Sequence, residues 1–464
     1  MIRHSSSARG SPGRFSAICL AAVFLAAPLA AQTLTPAQMR AAAVVALDRG
    51  QPEVALEISA ALLTRDPDDL LALLMQARTA RDLGQFDIAM QAARRAWSLS
   101  ETDGEKYDSA RMMAQVLASQ DQRTRAQFWL RRAVQHAPDT RSRQTAVQDF
   151  TYVRARNPWS TQLRFSLAPS SNINNGSARD ETLIFDFFTQ DYVVAGLGGA
   201  ARALSGIEAS LGVALRYRLS ESADHRTDLV LRGDTRRYSL SDSAREAAPT
   251  AKAADFALDT LNLGVLHRWK AQNAPVEYQL GALVGATRYG GAAYSESLRL
   301  NAGFNRPLGQ RTRMEFAVGA DITRGPVAPH SDIVRLGFDL THRHAAGHRL
   351  SASLTLSDST SDSDSAEYRE IRAGLETLPT WKILGAAPVF GIAFRLRDYP
   401  SFSIFSPDGR TDREVSAFLA LSFNNAEFYG FTPTVTLSAS RTDSSIGLFD
   451  TDRFGLQLGI QSAF

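Results

Sequence analysis

The last eleven residues alternate: Phe454, Leu456, Leu458, Ile460, Ser462 and Phe464 fall on one side, and Gly455, Gln457, Gly459, Gln461 and Ala463 on the other. A side-chain period of two puts these rows on opposite faces of a strand. A largely apolar row backed by Gly and Gln suits a strand with lipid on one side and a polar or water-filled interior on the other. After residue 31 no stretch has the roughly 20 consecutive apolar residues of a spanning helix, so any membrane crossing falls to strands.

The alternation fills the chain from Trp159 onward. Ile207, Ala209, Leu211, Val213, Leu215, Tyr217 and Leu219 oppose Glu208, Ser210, Gly212, Ala214, Arg216 and Arg218. Leu350, Ala352, Leu354 and Leu356 oppose Ser351, Ser353, Thr355 and Ser357, and the runs from Val334 and from Phe390 repeat the pattern. Broken at its turn signals, the region 157–464 is predicted to form a fourteen-stranded antiparallel transmembrane β-barrel. An even strand number brings both barrel ends to one side. The connections are expected to be short near Ala223, Asn273, Gly309, Gly347, Trp381 and Ala426 and mostly longer near Gly176, Ala247, Pro326, Ser361, Phe405 and Gly447, the brief link at Gly291 excepted. Short periplasmic turns and longer external loops are the usual asymmetry, which assigns whatever precedes the barrel to the periplasm. A soluble β-sandwich also alternates, but the length of the region and its terminal aromatic favour the barrel.

The start of the chain agrees. Arg3, Arg9 and Arg14 precede an apolar run from Phe15 to Leu29 and then Ala30-Ala31, so residues 1–31 read as a cleaved secretory signal. Cys19, the only cysteine, lies inside that signal, and the mature chain is expected to carry no disulfide. The net charge of +3, without a clustered basic surface, argues against a nucleic-acid partner.

Between residues 32 and 156 the period is helical, and it repeats. Ala43, Gly50, Ala55, Leu62 and Pro67 align with Ala77, Gly84, Ala89, Ala96 and Glu101, and a third copy follows at Ala114, Asp121, Ala126, Ala133 and Pro138. This resembles the tetratricopeptide repeat, in which small residues let paired helices approach and Gly sits in the turn. Stacked pairs of this kind form an α-solenoid with a concave face suited to an extended polypeptide. The repeat register assigns Arg40, Arg78, Arg81, Arg111 and Gln115 to that face. Each, taken alone, also reads as an ordinary solvated helix residue.

No catalytic arrangement stands out, and the chain is not expected to be an enzyme or to need a cofactor. His342, His344 and His348 fall at a predicted turn, where polar caps are routine, and are not read as metal ligands. Asp358, Asp362 and Asp364 lack the Gly and terminal Glu of a calcium loop and read as a solvated external loop. Walker lysine and G-x-S-x-G patterns are absent.

Two further resemblances bear on function. Gln457, Gly459 and Phe464 match the terminal signal by which the barrel-assembly machinery selects its substrates, while Ser462 departs from it. The segment from Trp159 through Asn172, Ile173 and Asn174 resembles the first barrel strand and Asn-x-Asn loop of the surface lipoprotein assembly modulator family. Thr432-Pro433, the run Arg441 to Ile446 and the run Phe449 to Arg453 resemble that family's last hairpin, with Ser445 where Asn is expected. The resemblance implies an outer-membrane translocon that exports particular lipoproteins or soluble binding proteins to the cell surface. Cargo would be held by the periplasmic repeats and passed unfolded through the barrel, and the surrounding partner would be outer-membrane lipid. A polysaccharide exporter with periplasmic repeats and a porin with an accessory domain stand as alternatives.

Overall fold

The computed structural model describes residues 34–462. The signal segment and Phe464 lie outside the described residues. Seven helices come first: α1 (Pro36–Asp48), α2 (Pro52–Arg65), α3 (Leu70–Asp82), α4 (Phe86–Leu99), α5 (Asp103–Ser119), α6 (Arg123–Gln135) and α7 (Thr140–Arg156). They stack as antiparallel hairpins on a core rich in alanine. Ala43, Ala77 and Ala114 on the first helices of the pairs are buried, as are Ala55, Ala89 and Ala126 on the second. Small side chains at these positions bring the helix axes close.

The turn inside each hairpin is the same in all three copies. Gly84 N donates to Arg81 O and Gln85 N to Ala80 O, at 3.0 and 2.8 Å. Gly50 with Gln51, and Asp121 with Gln122, repeat this paired closure of a helix C-terminus. It needs a left-handed residue, and Gly50, Gly84 and Asp121 have φ of 71, 73 and 58°. Asp121 therefore occupies the glycine position in full, although its side chain weakens the repeat signature in the sequence.

At Asn157 the helical period stops. The Asn157 side chain is held by Thr124 and in turn accepts from Trp159 N, which redirects the chain into the first strand. The strands are β1 (Trp159–Ser170), β2 (Glu181–Asp186), β3 (Asp191–Gly196), β4 (Gly206–Glu221), β5 (His225–Leu240), β6 (Leu258–Lys270), β7 (Glu277–Tyr289) and β8 (Ala292–Pro307). Then follow β9 (Thr312–Arg324), β10 (Ser331–Arg343), β11 (Arg349–Ser361), β12 (Tyr368–Leu378), β13 (Ala387–Tyr399), β14 (Arg410–Ser422), β15 (Phe431–Ser444) and β16 (Thr451–Ser462). Strands β2 and β3 form a separate hairpin inside the first long loop. The other fourteen close a barrel through antiparallel neighbours, with β1 between β4 and β16.

The outward rows are apolar and uncovered. Leu163, Phe165 and Leu167 on β1, Leu261, Leu263 and Val265 on β6, Val334, Leu336 and Phe338 on β10, and Phe454, Leu458 and Ile460 on β16 are all exposed. An apolar belt that continues round a closed barrel is a lipid-facing surface. Among the described residues no helix is long and apolar enough to span a membrane. At the end carrying the helical domain, Trp159 packs on Tyr217, Trp269 on Tyr278, and Trp381 on Phe390, with centroids 4.7, 5.4 and 5.7 Å apart. Aromatic bands of this kind lie at the lipid headgroups. The connections at this end have at most eight residues; at the other end those after β1, β5 and β13 are longer, those after β9, β11 and β15 have six, and Gly290-Gly291 alone joins β7 to β8.

Candidate functional site

Arg40, Arg78, Arg111 and Gln115, contributed by α1, α3 and α5, line one groove of about 410 Å3. Its floor is apolar, with Val44, Leu71, Met75 and Met112. Arg81 stands beside it, and its Nη1 donates to Gln115 Oε1 at 2.6 Å. The five residues assigned to the concave face therefore share one surface, but most of the charges are tied. Arg40 pairs with Asp69 at 2.6 Å, and Asp69 also caps α3 by accepting from Ala72 N. Arg81 pairs with Asp82 and Arg111 with Asp149, at 2.6 and 3.0 Å. Arg78 is exposed and makes no ion pair among the described residues. Asp108 also lines the groove, where partial desolvation raises its carboxyl pKa against the opposing pull of Arg111.

The barrel interior has two unlike walls. Across β8 to β10, Asp321 is buried between Arg299 and Arg335, and across β12 to β14, Arg395 and Arg397 interleave with Glu370 and Glu414. On β5 and β6, Asp228 is fully buried against Arg226, with Arg268 nearby. These luminal charges mix signs within each cluster. Along β15, β16, β1 and β4 small and hydroxyl-bearing residues, Thr434, Ser438, Gly455, Gly459, Ser166 and Ser210, surround a cavity of about 510 Å3, with Arg164, Glu208, Asp234 and Arg236 at its edge toward β4 and β5. Gln457 lines the same cavity.

The closing seam is the short ladder of the barrel. Among the described residues β1 pairs with β16 only at Phe165↔Ile460, Ser166↔Gly459, Leu167↔Leu458 and Ser170↔Gly455, whereas β1 and β4 pair at every residue from Trp159 to Ser170. Ser171 N donates to Phe454 O, so by alternation the odd residues of β1 turn their backbone groups toward β16. Pro169 falls among them and has no N–H to give.

Asn172, Ile173 and Asn174 shape the loop that leaves this strand. The Asn172 amide exchanges hydrogen bonds with the backbone of Gly176, and that of Asn174 donates to Ala200 O and Arg202 O while accepting from Leu204 N. Ile173 is buried with Leu204 and Leu240. The loop so formed reaches over the seam. Arg179 Nε donates to Asp450 Oδ2, Ala178 N to Asp450 O and Ser177 Oγ to Gly447 O, each at 2.8 Å. These contacts were not legible in the sequence: Asp450 lies in a segment that carries the family resemblance, but Arg179 and Gly447 fall outside those segments.

The histidines at the β10–β11 turn have local roles. His342 Nδ1 meets Thr312 Oγ1, and His348 Nδ1 accepts from Thr380 N. Among the described residues no group of His, Cys, Asp or Glu side chains is arranged to hold a metal ion.

Residues 159–454, more than half the chain, match the profile of the SlipAM family, described as surface lipoprotein assembly modifier. The chain belongs to this family. The match covers the barrel from its first strand into its last, and with the continuous apolar belt it places this SlipAM protein in the outer membrane. No curated protein matches the sequence. Among solved structures, an outer membrane channel from Pseudomonas putida F1 is 10% identical over 65% of this chain and 95% of that one, with a TM-score of 0.32. OccAB3 of Acinetobacter baumannii is 8% identical over 65% of this chain and 98% of its own, with a TM-score of 0.34. An O-GlcNAc transferase from Thermobaculum terrenum is 21% identical over 26% of this chain, which spans only 23% of its length, with a TM-score of 0.22.

Proposed function

We propose that this protein exports lipoproteins, or soluble binding proteins, across the outer membrane to the cell surface. The helical domain stands in the periplasm and holds cargo in the groove of α1, α3 and α5, and the barrel passes it in extended form. The SlipAM match, which covers the barrel itself, is the observation that carries this reading. Geometry limits the form of the cargo. Fourteen strands about 4.8 Å apart and tilted about 40° enclose a backbone cylinder roughly 28 Å across, before side chains fill part of it. A folded domain of about 100 residues has a radius of gyration near 13 Å and a diameter above 30 Å, so folded cargo does not fit. Insertion by the barrel-assembly machinery through Gln457, Gly459 and Phe464 belongs to the same proposal.

The groove supplies the test. Reversing Arg40 or Arg111 would also break an ion pair inside the domain, whereas Arg78→Glu changes the groove alone. That variant is expected to lower surface display of cargo several-fold while barrel abundance in the outer membrane stays unchanged. Undiminished display would show that Arg78 is solvated helix surface and that cargo is held elsewhere.

A further inference from the structure

We infer that the helical domain is a strap across the barrel seam, fixed to the β1 side by α7, gripping the β16 side through the β14–β15 turn, and holding the seam closed until that grip is released. The seam needs such a restraint, because its ladder is the short one and Pro169 interrupts it. On the long-loop side the β1–β4 loop already ties to the β15–β16 loop through Arg179 and Asp450. At the opposite end, among the described residues, the helical domain does the bridging.

One anchor is continuous with β1. The α7 carbonyl of Ala155 accepts from Arg218 Nη1 of β4 at 3.0 Å, and Arg218 N donates to Pro158 O. The other anchor lies across the seam. Arg131 Nη1 on α6 donates to Gly430 O at 2.8 Å, and Gln135 Oε1 accepts from Tyr429 N at 3.0 Å. Arg143 on α7 pairs with Glu427 at 2.5 Å. Tyr429 and Gly430, with φ of 48 and 77°, form the same tight left-handed turn as Leu384 and Gly385 between β12 and β13, at 49 and 81°, but of the two, among the described residues, only this turn meets the helical domain. The Tyr429 ring lies against His136 and Arg132. The gripped turn leads into β15, which pairs with β16 from Phe431↔Ser462 to Thr442↔Thr451, so the turn and β16 move as one hairpin.

The grip is polar where the core of the helical domain is apolar, and polar contacts between domains are the ones expected to give way first. Leu130 of α6 shares a buried cluster with Met113, Ala114 and Leu117 of α5, and α5 also carries Arg111 and Gln115 of the groove. Groove and grip therefore sit on one packed body.

The inference does not depend on cargo, and its test is made without any. Hydrogen exchange of the full chain in lipid nanodiscs reads the seam amides at Phe165–Leu167 and Leu458–Ile460 against those of the β9–β10 ladder. Arg143→Glu and Glu427→Arg are each expected to speed seam exchange about tenfold and leave β9–β10 unchanged, and combining them restores the pair with opposite polarity and slows the seam again. If single reversals leave Tyr429 N protected, the triple variant Arg131→Ala, Gln135→Ala, Arg143→Glu removes the hydrogen bonds and the ion pair to the turn, leaving the ring contacts of Arg132 and His136, and must speed the seam. Unchanged seam exchange in a variant whose Tyr429 amide has lost protection would overturn the strap. Loss of cargo display with normal seam behaviour would touch only the export proposal.

Discussion

Asp121 shows how one residue can weaken a repeat signature while the turn it occupies stays the same. The first two hairpin turns use Gly50 and Gly84, and the third asks Asp121 to take the same left-handed backbone. Asp tolerates that region better than most side chains but less well than Gly. Its ion pair with Arg123 is exposed and contributes little. Asp121→Gly is therefore expected to stabilise the helical domain by about 0.5 kcal/mol, because relief of the turn outweighs the extra freedom of glycine in the unfolded chain, and Asp121→Val to cost about 1 kcal/mol or more. Thermal melting followed by helical circular dichroism on the full chain checks both, and a glycine variant that melts lower would mean the Asp side chain supports the turn. The groove residues were assignable because a fixed repeat register fixes the face. Asp69 and Asp149, which neutralise two of them, come from neighbouring segments that the register does not address.

At the level of strands and helices, the sequence was most legible where one face meets lipid. A period of two with long apolar rows marks each barrel strand, and Gly, Pro and Asn mark the breaks, so the fourteen strands could be read in advance, whereas connection length separates the two ends only in part. The β2–β3 hairpin was read as part of a long loop, because it is short and lies outside the barrel, where no lipid face imposes a row. Small residues and the lack of a covalent turn between β1 and β16 make the seam the easiest pair to part. The short ladder agrees, but the outer loop and the helical domain both cross it, and such contacts between distant segments leave no local pattern. Which way the Pro169 backbone faces also emerges only once the register is known. Pro169→Val should supply the missing N–H and a β-branched, lipid-facing side chain. One more ladder bond is worth about 0.5–1.5 kcal/mol, so the folded, heat-modifiable form should persist to higher temperature. An unchanged or lower transition would place the interruption elsewhere in the seam.

Taken whole, the molecule is a membrane barrel with a charged wall on one side and a small, hydroxyl-bearing wall beside its seam, joined to a helical domain that carries a groove and grips the hairpin across from its own attachment. A porin has no need of a groove, and a polysaccharide conduit is expected to line its lumen with aromatic platforms and one sign of charge, whereas the luminal charges here mix signs. The proposed export of polypeptide would use every part. The most direct measurement labels intact cells, with and without this chain, using a reagent that cannot cross the outer membrane, and then quantifies which outer-membrane lipoproteins and released proteins are tagged. The export proposal predicts that one or a few lost proteins disappear from the surface or the medium while remaining in the envelope, and return when the chain is restored. No change in any protein, together with altered polysaccharide export or small-solute permeability, would contradict it.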